Sequence, residues 1–120
     1  MDYKIRTEGP ISVLELSGDL DVSGAPALQA ALQQVMDDGG RLIVVDLENV
    51  PFMDSSGLGV FVAAYRRLTA QEGQIALANT PPTLQKVFKL TRTDRLFTLY
   101  NSVSAAVEEM RDAGCGMRDV

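Results

Sequence analysis

The chain has no histidine, no tryptophan and one cysteine among its 120 residues. Without histidine it lacks the usual general base, the commonest metal ligand and any Ser-His-Asp triad. Cys115 has no second cysteine to pair with. It lies between Gly114 and Gly116, too far from the C-terminus for a prenylation box, and is read as an incidental free thiol. Long apolar runs are also missing. No stretch approaches the roughly 20 residues of a membrane-spanning helix, and the first residues lack the basic-then-apolar layout of a secretory signal. A soluble, cytoplasmic protein with no membrane insertion is expected. Positive charge is in deficit, with 11 Lys and Arg against 16 Asp and Glu and a net charge of −5. Such a surface repels phosphate backbones, so no direct nucleic-acid partner is expected. Among the cations, the pair Arg66-Arg67 and the scattered Lys86, Lys89, Arg92 and Arg95 read as solvated faces.

The chain does have enough length and enough apolar residues, 46%, for one domain with a real core. Tyr3 to Thr7 and Ile11 to Ser17 predict two strands joined around Glu8-Gly9-Pro10 as an antiparallel hairpin. Gly18-Asp19-Leu20-Asp21 ends the second strand in an acidic loop, and Ser23 or Gly24 can cap a helix with Pro26 in its first turn. Leu28, Ala31, Leu32, Val35 and Met36 line one face of that helix, which Asp38-Gly39-Gly40 stops. Leu42 to Leu47, apolar except for Asp46, predicts a central parallel strand buried on both faces. Leu58, Phe61, Val62, Tyr65 and Leu68 have helical spacing. A strand over Gln74 to Asn79 follows, then a helix from Thr80-Pro81-Pro82 carrying Leu84, Val87 and Phe88. A short strand over Leu96 to Tyr100 and a helix with Val103, Ala106, Val107 and Met110 inward complete the order ββαβαβαβα. This is the pattern of an α/β domain over residues 1–113, with a mainly parallel mixed sheet of about five strands and about four helices, and the first strand antiparallel. Residues 114–120 are expected to form a flexible tail.

The informative stretch is Phe52-Met53-Asp54-Ser55-Ser56-Gly57-Leu58-Gly59, between the central strand and the second long helix. Sites gather at the carboxyl ends of parallel strands. The loops Gly18 to Ser23 and Met53 to Gly59 both lie there, and a single crossover joins their strands, so Asp21 and Asp54 are expected to flank the serines. Four roles compete. Ser56 or Ser55 could cap the helix, worth about 1 kcal/mol. A nucleotide-binding loop is disfavoured by the absence of lysine and of phosphate-loop spacing. A hydrolase nucleophile would lack a base. A phosphorylated serine would gain about −1.5 to −2 charge, tolerated at a helix N-terminus yet repelled by acidic neighbours. Two unit charges at about 4 Å repel by roughly 4 kcal/mol at an effective dielectric near 20. That balance describes a loop that keeps its fold when modified but changes its partner. Met53 and Phe52 read as core, or as an apolar partner contact.

The same octapeptide resembles the signature loop of anti-sigma factor antagonists of the STAS domain family, and Gly18-Asp19-Leu20-Asp21 resembles a second turn of that family. Asp19 stands where many relatives carry Glu. The resemblance spans nearly the whole chain and implies a single STAS-like domain. It implies a protein that is not an enzyme, needs no cofactor or metal, and binds an anti-sigma factor serine kinase while unphosphorylated, freeing a sigma factor. Phosphorylation of the serine after the aspartate, Ser55 here, would switch it off, and a metal-dependent serine phosphatase would restore it. The implied partner-binding residues are Asp21, Met53, Asp54, Ser55, Ser56, Gly57 and Leu58. An alternative within the same fold is a regulatory subunit of a membrane transporter complex.

Overall fold

A computed structural model describes residues 1–118, with side chains through residue 111. The elements are β1 (Asp2–Glu8), β2 (Ile11–Ser17), α1 (Ala25–Asp37), β3 (Leu42–Asn49), α2 (Ser55–Ala70), β4 (Gln74–Ala78), α3 (Pro82–Leu90), β5 (Thr98–Tyr100) and α4 (Val103–Arg118), with a 3₁₀ turn at Thr93–Arg95. The order ββαβαβαβα is the expected one. Strands lie in the sequential order β1-β2-β3-β4-β5, β1 antiparallel to β2 and the remaining neighbours parallel.

Sequential parallel strands joined by right-handed crossovers must place their helices on one side of the sheet. The core divides accordingly. Leu14, Leu16, Val45 and Leu77 meet Leu28 and Leu32 of α1, Phe61 and Leu68 of α2, and Leu84 and Phe88 of α3. The opposite side chains, Ile11, Val13, Val44, Ala76 and Ala78, are covered by Ala106, Val107 and Met110 of α4. Alternation along β2 thus feeds two separate layers, the consequence of a strand's period of two. Every residue of β3 from Ile43 to Val45 is fully buried, as a central strand requires.

Three phenylalanines knit α2 to α3. Phe61, Phe88 and Phe97 pack edge to face, with centroids 6.4, 6.1 and 5.7 Å apart, and Tyr65 adds a fourth ring 5.8 Å from Phe97. Such pairs add about 0.5–1.5 kcal/mol each beyond their burial. Phe97 performs this role from outside the sheet. The last strand is shorter than expected, beginning at Thr98, because Arg92 adopts a left-handed conformation (φ 60°) that turns the chain into the 3₁₀ segment. At the other end, α4 continues to Arg118, past the boundary expected for the tail. Single glycines cost a helix about 1 kcal/mol each but do not stop propagation from a helix already nucleated. Residues 119 and 120, the end of that expected tail, lie outside the described residues. No helix is long and apolar enough to cross a membrane among the described residues.

Candidate functional site

The two loops expected to be neighbours are stitched together by main-chain bonds. Beyond the irregularity between Glu15 and Ser17, the Gly18 amide donates to Asn49 O at 3.0 Å. The Leu20 amide then donates to Phe52 O at 2.9 Å, and the Asp54 amide donates to Leu20 O at 3.1 Å. Leu20 and Met53 therefore form an isolated parallel bridge, a continuation of the β2–β3 pairing into the site. Gly57 completes the seam. A Cβ there would lie 2.7 Å from Leu20 O and 2.8 Å from Leu20 Cβ, so only glycine allows the first turn of α2 to approach this closely.

Asp54 is the N-cap of α2. In an extended conformation (φ −111°, ψ −169°), its Oδ1 accepts from the Ser56 amide at 2.8 Å and the Gly57 amide at 3.4 Å. The expectation that Ser56 or Ser55 caps the helix is corrected here. Both serines already lie inside the helix, and a cap must come from the residue before it, where the extended backbone turns the side chain back onto the amides. Asp21 has a comparable duty. Its Oδ1 accepts from the Gly24 amide at 2.9 Å, fixing the turn that leads into α1.

Freed from capping, Ser55 is exposed at the first position of α2, and its hydroxyl has no hydrogen-bond partner among the described residues. Ser56 is half-buried, beside the shallow groove between α1 and α2 lined by Gln29, Leu32, Gly59, Ala63 and Arg67. Asp54 and Asp21 are half-buried. Helix geometry places a group on Ser55 at the positive end of the α2 dipole, with the Asp54 carboxylate one residue away. No group of three or more metal-ligating side chains occurs among the described residues.

Three of the residues expected at a partner surface face inward. Met53 is 3% exposed and belongs to the core, Leu58 is 9% exposed, and Gly57 is covered by Leu20. They shape the loop and do not present it. The apolar side chains that do face out nearby are Phe52, 50% exposed, and Val22, 72% exposed, one on each of the stitched loops. Val22 was not singled out from sequence. Its signal was a lone apolar residue within a polar loop, too weak to separate from a buried anchor such as Leu20.

The STAS domain family matches residues 2–106. The anti-sigma-B factor antagonist of Staphylococcus aureus is 31% identical over 91 residues, covering 76% of this chain and 84% of that protein. The structure of an anti-sigma factor antagonist from Mycobacterium paratuberculosis superposes with a TM-score of 0.84 at 30% identity, covering 92% of this chain and 93% of the other. The Bacillus cell fate determinant SpoIIAA in its phosphorylated form gives a TM-score of 0.72 at 25% identity, covering 91% and 99%. The chain therefore belongs to the STAS domain family, among relatives that are anti-sigma factor antagonists.

Proposed function

We propose that the protein is an anti-sigma factor antagonist and acts as a binding switch, not as an enzyme. Unphosphorylated, it binds an anti-sigma factor that is also a serine kinase, and so frees a sigma factor. The kinase phosphorylates Ser55, which releases the partner, and a metal-dependent serine phosphatase reverses the modification. The single observation that carries this reading is the position of Ser55. Its hydroxyl is exposed and unpartnered on a helix whose cap is supplied by Asp54.

Because the cap is a neighbouring carboxylate, modification of Ser55 breaks no hydrogen bond that holds α2. The dipole of a helix N-terminus favours an added anion by up to about 2 kcal/mol, so the fold tolerates it. The partner does not. Repulsion of even half the roughly 4 kcal/mol between unit charges at about 4 Å weakens binding more than tenfold. Val22 and Phe52 supply apolar contact beside the serine in the unphosphorylated complex. Phosphorylation of a relative is stated for SpoIIAA, whose structure was determined in its phosphorylated form.

The test is intact-mass measurement after incubation with the partner kinase and ATP, followed by peptide mapping. One phosphate on Ser55, absent from Ser55→Ala, is the expected result. Phosphate confined to Ser56, or none, would overturn the assignment.

A further inference from the structure

The one strongly basic part of this acidic chain lies away from Ser55. Residues 82–96 carry Lys86, Lys89, Arg92 and Arg95 against Asp94, net +3, which leaves net −8 over the rest of the chain. All four cations are exposed, and among them stands Leu90, 85% exposed. Lys86 and Leu90 are four residues apart on α3 and share a face. The apolar side of α3 is occupied without Leu90, since Leu84 and Phe88 fill the core and Val87 packs against it.

A solvated charged face is the ordinary account of such a cluster, and the exposed Leu90 within it and the backbone of Arg92 count against that account. None of the four cations has an ion-pair partner among the described residues. The carbonyls at the end of α3, natural acceptors for Lys and Arg, are taken by threonines. Thr91 Oγ1 donates to Val87 O at 2.7 Å, and Thr93 Oγ1 to Phe88 O at 3.4 Å. Arg92 also holds φ 60°, ψ 18°, a conformation suited to Gly or Asn, so a long cation stands where the backbone disfavours it. That reversal packs the 3₁₀ turn with Arg95 back against α3.

We propose that Lys86, Lys89, Leu90, Arg92 and Arg95 form a second docking surface, for an acidic protein segment bearing an apolar side chain that pairs with Leu90. Charge complementarity selects the occupant, and the exposed leucine within the cations requires an apolar group in it. A bilayer would receive only Leu90, because the rest of the apolar face of α3 is committed to the core. A nucleic acid would meet a chain of net −5 and leave Leu90 unused. The surface acts independently of Ser55. The helix α3 starts at the carboxyl end of β4 and runs back toward the amino ends of the strands, about 13 Å for nine residues. Leu90 thus lies toward the opposite end of the sheet from Ser55. A charge there is screened over roughly 8 Å at physiological salt.

The test is an amide chemical-shift titration of the full chain with a synthetic peptide of Asp and Glu around one Phe. Shifts confined to residues 86–95 are expected, weakening as salt rises. Lys89→Glu with Arg92→Glu should lose about tenfold in affinity. Leu90→Ser should lose severalfold, and Ser55→Asp should bind unchanged. Arg92→Gly removes the cation and the backbone strain together, so it should keep the melting temperature while weakening the peptide, which separates docking from misfolding. Equal binding of a peptide without Phe, or shifts elsewhere on the surface, would overturn the proposal. So would anionic vesicles or duplex DNA contacting these residues more tightly than the peptide, or self-association that Leu90→Ser abolishes.

Discussion

The Asp54 amide donates to the Leu20 carbonyl at 3.1 Å, which ties the start of α2 to the loop after β2. The same Leu20 carbonyl lies 2.7 Å from where a Cβ on Gly57 would be. One backbone oxygen therefore sets both the position of the cap and the closeness of the first helical turn. The exposed serine between them inherits that geometry.

The two glycines of the loop should respond in opposite ways to alanine. Gly57→Ala forces its methyl group into Leu20 and should destabilise by about 1–3 kcal/mol. Gly59→Ala meets nothing within 4 Å and should stabilise by up to about 1 kcal/mol through helix propensity. Chemical denaturation midpoints of the two variants decide the matter, and equal shifts would refute the Leu20 seam.

Loss of the cap should be a stability effect, separable from the switch. Asp54→Ala removes the acceptor of the Ser56 and Gly57 amides and should cost about 1 kcal/mol, near 4 °C in melting temperature for a domain of this size. Asp54→Asn keeps a side-chain oxygen and should retain most of it. Ser56→Ala should change the melting temperature little, whereas a loss as large as that of Asp54→Ala would return the cap to Ser56.

At Ser55 the contrast should appear in binding and not in folding. Ser55→Ala should melt with the unmodified protein and bind the proposed anti-sigma factor kinase normally. Ser55→Asp should also melt with it, yet lose more than tenfold in affinity by calorimetry. Equal affinity of the two variants would remove charge repulsion as the release mechanism.

Tyr100 should titrate late. Burial, and secondarily the negative charge of Glu109, pushes its hydroxyl above the ordinary tyrosine value of 10.0. The folded state then holds its proton above pH 10 while the unfolded chain has released it. Stability from this residue is complete below pH 10 and is lost as pH rises through the folded value. Tyrosinate absorbance should show a late component that Tyr100→Phe removes and Glu109→Gln shifts downward.

How much of this was legible beforehand follows from how local each signal is. The periodicity of Leu28, Ala31, Leu32, Val35 and Met36 requires only one helix, and all five are buried. The run Leu42 to Leu47, apolar but for Asp46, similarly announced a central strand. Phe97 was not legible as core, because its burial depends on rings contributed by α2 and α3 from distant parts of the chain. The left-handed turn at Arg92, which shortens β5, had no Gly or Asn to announce it.

By itself, the sequence determined the order of elements, the end of the sheet where the polar loops gather, and the presence of an acid and two serines at a helix start. Hydrophobic period and turn chemistry are short-range properties, so one chain suffices to read them. Only the tertiary structure decided which of those loop residues are available. The pairing of Leu20 with Met53 draws Met53, Gly57 and Leu58 inward and leaves Phe52 and Val22 outside. It also settled the division of duties at the helix start. The side chains compete for the same amides, and the extended backbone of Asp54 gives them to its carboxylate, leaving the Ser55 hydroxyl free.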